Sequence, residues 1–209
     1  MRVAVVVVFA IVLTVSAACA QPDADHRGVF LQGGAYAPAD SSARGELGSA
    51  WLNIGADVRV ASGRRIDHYA GVGWVRAGGR TLTEDLGRIN PAFDTEVISV
   101  ETEFRMIPFT YTQRTRPAAG TGFYAGGGVG LNFTSGKVRA TSPALETLSY
   151  DNNDAVLSVH VIGGAVVANT MVVEARYTLL FSEVKIADIQ DFSYQHNLSG
   201  LALTLGVRF

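Results

Sequence analysis

Apolar and polar residues alternate along most of the chain after its first twenty residues. Side chains of a β-strand point to opposite faces in turn, so a period of two predicts strands. No segment shows a convincing helical period, and the sequence therefore predicts an all-β fold. The last segment has the clearest alternation. Its apolar face carries Leu201, Leu203, Leu205, Val207 and Phe209.

Eight such segments are predicted, and the connections between them alternate in length. Long connections follow the first, third, fifth and seventh segments, whereas shorter ones follow the second, fourth and sixth. Transmembrane barrels have this asymmetry, with tight periplasmic turns and longer outer loops. We therefore predict an eight-stranded antiparallel up-and-down transmembrane β-barrel with both termini in the periplasm. The predicted strands span residues 28–37, 50–60, 66–77, 96–111, 121–133, 155–168, 171–182 and 196–209.

The first twenty residues have the pattern of a secretory signal peptide. The apolar run over residues 3–15 is shorter than the roughly 20 residues of a membrane-spanning helix. Ala18-Cys19-Ala20 fits the small-x-small sequence that signal peptidase cuts. We predict cleavage after Ala20 and a barrel domain over residues 21–209. In an alternative interpretation, Cys19 is the lipidated first residue, because the residues before it resemble a lipobox.

Alternation alone also fits a soluble sheet with one wet face, so other features decide which face meets lipid. Phe209 closes an alternating strand, and no helix follows that would cover the apolar face of this strand. Phe123 and Phe133 share one face of the fifth strand, and a tilt near 40° would place them roughly 25 Å apart along the membrane normal. This is about the height of a barrel's apolar band. We therefore predict that the apolar faces contact lipid.

Three segments, together with the signal peptide, have a familiar pattern. They are GTGFYAGGGVGLNF, VVEARYTLLF and LSGLALTLGVRF. They resemble the small outer-membrane β-barrel proteins of Gram-negative-type bacteria, the group of outer-membrane protein A, outer-membrane protein W and the opacity-type proteins. The resemblance covers nearly the whole mature chain. It implies a location in the cell outer membrane and insertion by the barrel-assembly machinery, with Leu203, Leu205, Val207 and Phe209 as the assembly signal.

Charged residues of both signs fall on the faces predicted to point inward. The lumen of an eight-stranded barrel is only just filled by its own side chains, and charges buried there persist when they pair. We therefore predict a network of salt bridges that plugs the lumen, with Gln32 beside it. The predicted members are Asp57, Arg59, Glu101, Glu103, Arg105, Glu174, Arg176 and Arg208.

Other chemistry is weakly indicated. Lys plus Arg (17) nearly balances Asp plus Glu (19), so no strong field attracts nucleic acid. Ser158 and His160 share a face but stand about 7 Å apart along the strand, beyond direct hydrogen-bond reach unless the side chains lean together. The segment Asp151 to Asp154 fits a solvated turn better than a cation site. We predict no enzyme activity, no cofactor and no metal.

The sequence thus predicts a monomeric outer-membrane barrel with a structural or surface-interaction role. Outer-membrane lipid is its expected surrounding. An unidentified extracellular partner would contact the loops, mainly residues 78–95 and 134–154. Three alternatives stay open: a narrow channel for small hydrophobic solutes, a lipid-modifying barrel enzyme and a soluble periplasmic ligand-binding barrel.

Overall fold

The computed structural model describes residues 28–85, 97–116, 122–141, 147–167, 170–189 and 192–209. The predicted signal peptide, with Cys19 and the cleavage site after Ala20, lies outside these residues. The described residues form a short helix, α1 (Ser41–Leu47), and a series of strands. The strands are β1 (Val29–Pro38), β2 (Trp51–Ser62), β3 (Ile66–Asp85), β4 (Val97–Thr115), β5 (Gly122–Thr141), β6 (Leu148–Val167), β7 (Met171–Leu180), β8 (Val184–Ile189), β9 (Phe192–His196) and β10 (Gly200–Arg208).

Eight strands close into an antiparallel barrel in the order β1, β10, β7, β6, β5, β4, β3, β2. The first and last strands pair directly, with Phe30 opposite Arg208 and Pro38 opposite Gly200. This pairing removes the free edges that an open sheet would expose. The prediction of an all-β, eight-stranded, up-and-down barrel is confirmed.

The outside of the barrel is apolar over much of its surface. Leu203 and Leu205 are 58% and 63% exposed, whereas Thr204 between them is 6% exposed. Phe123 and Phe133 are both exposed on the outer face of β5, as predicted. A continuous apolar exterior of this size needs an apolar surrounding, which a bilayer supplies. In the described part of the chain, no helix combines the length and hydropathy needed to cross a membrane.

β3, β5 and β6 are longer than predicted at their upper ends. Together with β4, which begins within one residue of its predicted start, they extend past the apolar band towards the long connections. β5 continues to Thr141 and β6 begins at Leu148, so most of the predicted loop over residues 134–154 is strand. On the outer face of β5, apolar side chains end at Phe133 and are followed by Ser135 and Lys137. The extension therefore leaves the hydrocarbon and enters water.

The predicted orientation of upper β4 is wrong. Phe104 and Met106 are buried in the lumen and Arg105 is exposed outside, so Glu101 and Glu103, which share the face of Arg105, also point outward. This part of β4 lies beyond the apolar band, where the outer face meets water and the inner face meets a packed interior. Alternation persists there, but its apolar side is the lumen side.

Two connections predicted as loops contain regular structure. α1 lies between β1 and β2, and β8 pairs with β9 in a hairpin between β7 and β10. The side chain of Asp40 caps α1 by accepting a hydrogen bond from the Ser42 N–H at 2.9 Å. Gly48, with a φ of 93°, ends the helix in a conformation that favours glycine. A helix this short gives almost no periodic signal in the sequence.

Candidate functional site

Four charged side chains form a closed network in the lower lumen, towards the short turns. They are Asp57 on β2, Arg114 on β4, and Glu174 and Arg176 on β7, and Asp57, Arg114 and Glu174 are at most 3% exposed. Arg176 Nη2 lies 3.1 Å from Asp57 Oδ2 and 3.0 Å from Glu174 Oε1. Arg114 Nη2 lies 3.3 Å from Glu174 Oε2 and also donates to Asp57. Each charge therefore contacts both opposite charges, and the group is neutral as a whole.

Aromatic rings surround Arg114 below this network. Its guanidinium carbon lies 4.8 Å from the ring centre of Phe30, 4.7 Å from that of Tyr69 and 5.7 Å from that of Tyr124. These distances fit cation–π contacts. The hydroxyl of Tyr124 also donates to Glu174 Oε2 at 2.8 Å. The rings keep water from the ions, which strengthens their attraction.

A glycine gives the network its space. A Cβ atom at Gly71 on β3 would overlap both Asp57 Oδ1 and Thr110 Oγ1. Because Gly71 has no side chain, the carboxylate of Asp57 packs against the barrel wall and reaches both arginines.

A small cavity lined by both polar and apolar side chains lies in the middle of the lumen, above the charges. Its volume is about 40 Å³, and its wall includes Asn132, Ser158, His160 and Thr204. Asn132 Nδ2 donates to Ser158 Oγ at 2.8 Å, and His160 Nε2 lies 2.8 Å from Thr112 Oγ1. The cavity has room for roughly three water molecules. Ser158 and His160 share the inward face of β6, and each bonds to another residue, so their contacts give no nucleophile and base pair.

An apolar cap fills the upper lumen, at the end of the long connections. Trp51 packs between Tyr36 and Phe104, with ring centres 5.6 Å and 5.4 Å away. Leu47 of α1 and Leu198 are buried beside them. The other buried members are Ala43, Val75, Ala77, Met106, Val156, Leu180, Val184 and Ala202.

His196 at the end of β9 holds α1 in the barrel mouth. Its Nε2 lies 2.8 Å from Glu46 Oε2, and its Nδ1 lies 3.1 Å from Ser42 Oγ. The order of serine, histidine and carboxylate resembles that of a hydrolase. However, the Ser42 hydroxyl donates to Asp40 Oδ1 at 2.7 Å, so its proton points at this carboxylate and not at His196. The arrangement therefore fastens the helix and does not activate the serine.

Capping of α1 gives a pH-dependent prediction. Hydrogen bonds from Ser42 hold the pKa of Asp40 below its usual value. A carboxyl with a lowered pKa stabilises the fold at neutral pH, and this contribution is lost as the pH falls through the lowered pKa. We expect Asp40→Ala to destabilise α1 by about 1 kcal/mol at neutral pH and much less in strong acid. Amide hydrogen exchange of residues 41–47 measures this.

The matched control is Asp40→Asn, which keeps an oxygen acceptor at the cap. It should protect the amides of α1 nearly as well as the native residue, at neutral and at acid pH. Equal protection in Asp40→Ala and the native chain would show that the cap does not stabilise the helix.

The structure brings together part of the predicted charge network. Asp57, Glu174 and Arg176 meet as predicted, with Gln32 Nε2 3.5 Å from Asp57 Oδ2. Arg59 lies lower, 3.7 Å from Asp67 Oδ2. Three of the other predicted members lie outside the cluster. Arg208 lies near the lower end of β10, and Glu101, Glu103 and Arg105 point outward.

Sequence reasoning missed Arg114, the most buried cation of the network. The predicted fourth strand ended at residue 111, whereas β4 continues to Thr115. Thr110, Thr112 and Arg114 continue the inward face in steps of two, which was the available signal.

The structure agrees with the predicted direction of the terminal side chains but not with the turn predicted at residues 151–154. Leu203, Leu205, Val207 and Phe209 all point outward, and their role as an assembly signal stays a prediction. The segment Asp151 to Asp154 is strand rather than the expected turn. Asp151 lies 3.5 Å from Lys137 Nζ, whereas Asp154 lies on the opposite face and accepts from the Ala155 N–H. The two carboxylates therefore diverge.

Comparison with solved structures identifies the architecture. No protein-family model matches the sequence, and no curated protein matches it significantly. A major outer membrane protein from Thermus thermophilus has a TM-score of 0.51 and 14% identity, over 87% of this chain and 98% of that chain. The fold is that of a small outer-membrane β-barrel. The resemblance inferred from the sequence is thus confirmed at the level of the fold.

Two other solved structures resemble this outer-membrane β-barrel over the same share of the chain. Ail of Yersinia pestis, in complex with the heparin analogue sucrose octasulfate, has a TM-score of 0.47 and 12% identity over 87% of this chain and 99% of that chain. Neisserial surface protein A has a TM-score of 0.46 and 15% identity over 87% and 96%. The fold and the apolar exterior place the barrel in the cell outer membrane.

Proposed function

We propose that this outer-membrane barrel has a structural or surface-interaction role and conducts no solute through its lumen. The packed lumen carries the proposal: a neutral ion network below, a cavity of about 40 Å³ in the middle and an apolar cap above. An eight-stranded barrel leaves little space beyond its own side chains. This filling argues against the narrow channel considered from the sequence.

The extension of β3 to β6 supports a role at the cell surface. It projects from the apolar band on the side of the long connections, which face the outside in barrels of this kind. Its outer face carries the charged residues Arg105, Lys137 and Arg139. A rigid strand extension is a suitable support for loops that contact a partner.

A non-enzymatic role fits the side-chain contacts. Ser158 and His160 each bond to another residue inside the lumen, away from any lipid headgroup. At the rim, Ser42 directs its hydroxyl towards Asp40. Neither serine has the proton transfer to histidine that nucleophilic catalysis requires.

Conductance of a planar bilayer tests the sealed lumen. We expect the refolded protein to give no conductance steps at neutral pH, under conditions in which a general porin conducts. Membrane insertion is verified first, from a band that shifts on heating in gel electrophoresis and from recovery in the outer-membrane fraction. Reproducible small steps from the inserted protein would favour the channel, and recovery in the soluble fraction would favour the periplasmic barrel.

A further inference from the structure

We propose that Arg76 and Arg105 form a binding site for the phosphate of an outer-leaflet lipid, at the upper edge of the apolar band. The proposal rests on the membrane location given above and is independent of whether the lumen conducts. Its occupant is an amphiphile, with a phosphate against the two arginines and acyl chains against the barrel wall below.

The apolar band ends sharply on the outer face of β3 and β4. Val72 lies opposite Phe109 and Val75 opposite Met106, a register that places Trp74 beside Ile107. The next outward position, about 7 Å further along each strand, is an arginine on both strands. Arg76 lies directly opposite Arg105. Two guanidinium groups therefore emerge where hydrocarbon gives way to lipid headgroups.

The charges around Arg76 and Arg105 favour the binding of an anion. Like charges directly opposite each other destabilise a strand pair. Glu103 Oε2 lies 3.3 Å from Arg105 Nη2 and offsets one of the two positive charges. Among the residues that the structure describes, no carboxylate lies within ion-pair distance of Arg76. One positive charge therefore remains in excess, and both arginines are exposed on the outer face.

The neighbouring positions suit a phosphate. A guanidinium group binds phosphate oxygens through two parallel N–H groups. Along the same row, Arg105 lies opposite Ser135 and Ser135 lies opposite Asn153, so a hydroxyl and an amide stand next to the arginines. Trp74 and Ile107 lie one step below, where acyl chains begin. A phosphorylated lipid would contact the arginines above with its phosphate and the apolar side chains below with its acyl chains. A free anion would contact only the arginines.

Arg139 on β5 is a matched control. It is also an exposed arginine on the outer face of the extension. Its cross-strand neighbours are Glu101 and Ser149, so neither residue directly opposite it is a cation. It lies roughly 20 Å along the strand from Phe133, well above the apolar band.

The experiment measures stabilisation of the refolded protein in an uncharged detergent. The heat-shifted gel band gives the unfolding temperature, with increasing amounts of diphosphoryl lipid A, fully dephosphorylated lipid A or inorganic phosphate. We expect only diphosphoryl lipid A to raise the unfolding temperature of the native chain. Arg76→Gln combined with Arg105→Gln should require roughly tenfold more lipid for the same rise, whereas Arg139→Gln should behave like the native chain.

Several outcomes would overturn the proposal. Dephosphorylated lipid A acting as well as the diphosphoryl form would show that acyl contacts alone bind the lipid. Inorganic phosphate giving the full effect would indicate a site for a soluble anion. An equal loss in Arg139→Gln would indicate a diffuse charge effect. If the double glutamine variant fails to fold, Arg76→Lys with Arg105→Lys carries the test, and native-like lipid binding by it would contradict recognition by guanidinium groups.

Discussion

Replacing Arg114 with methionine is expected to lower the free energy of unfolding of the barrel by about 3–5 kcal/mol, because removal of one partner leaves buried charge uncompensated. Arg114 is 3% exposed and contacts both carboxylates of the network. Without it, Asp57 and Glu174 share Arg176 alone. Three aromatic rings also lose the cation between them. Unfolding in urea, followed by the heat-shifted band, measures the loss.

Arg105→Met is the control for this change. Arg105 is an arginine of the same strand, and its exposed ion pair with Glu103 should be worth less than about 1 kcal/mol. Equal destabilisation by the two substitutions would contradict the assignment of Arg114 to the lumen and Arg105 to the outside. A second variant, Arg114→Met with Asp57→Asn, removes one charge of each sign. It should recover part of the stability, because the remaining Glu174 and Arg176 still pair at 3.0 Å.

Period-two alternation, together with the alternating lengths of the connections, predicted the barrel, because every strand has one face towards lipid or water and one towards the lumen. It located the eight strands and gave the correct orientation of β2, β5, β7 and β10. The inner face of β5 is rich in glycine, and Gly128 shows why glycine is needed there, since a Cβ would overlap the Tyr111 carbonyl oxygen.

β4 shows the limit of the pattern. Its apolar residues lie inward at Phe104 and Met106 and outward at Ile107 and Phe109, with no irregularity in its pairing with β5. The side that is apolar changes because the strand passes from the extension into the bilayer. Alternation distinguishes the two faces of a strand but does not show whether lipid, water or the lumen lies next to each face. Which face points into the lumen is therefore ambiguous wherever a strand is longer than the bilayer is thick.

The place of the charge network in the lumen was predicted more accurately than the residues that form it. Asp57, Glu174 and Arg176 lie on strands whose orientation was correct, and they meet across the lumen. Which charges pair depends on the shear of the barrel, which the sequence of single strands does not give. The cap was missed for a related reason. α1 is held by Asp40, Glu46 and His196, and these contacts join distant parts of the chain.

Placing an arginine at Leu203 is expected to impair insertion and folding, at a cost of about 2–4 kcal/mol where the side chain meets hydrocarbon near the middle of the bilayer. Leu203 is 58% exposed on the outer face of β10, and its neighbours across the closing seam and on β7 are Ala35 and Ala175. An arginine there has no buried partner on either side. The fraction of refolded protein that migrates as the heat-shifted band in lipid vesicles measures the effect.

Asn153→Arg provides the comparison, because it introduces the same side chain on the outer face of the barrel but above the apolar band, directly opposite the uncharged Ser135. It should refold nearly as well as the native chain. Leu203→Gln, which is polar but uncharged, should lie between the two. If all three variants insert equally well, the outer face of β10 does not meet hydrocarbon, and the membrane assignment fails with it, since that assignment depends on the direction in which these leucines point.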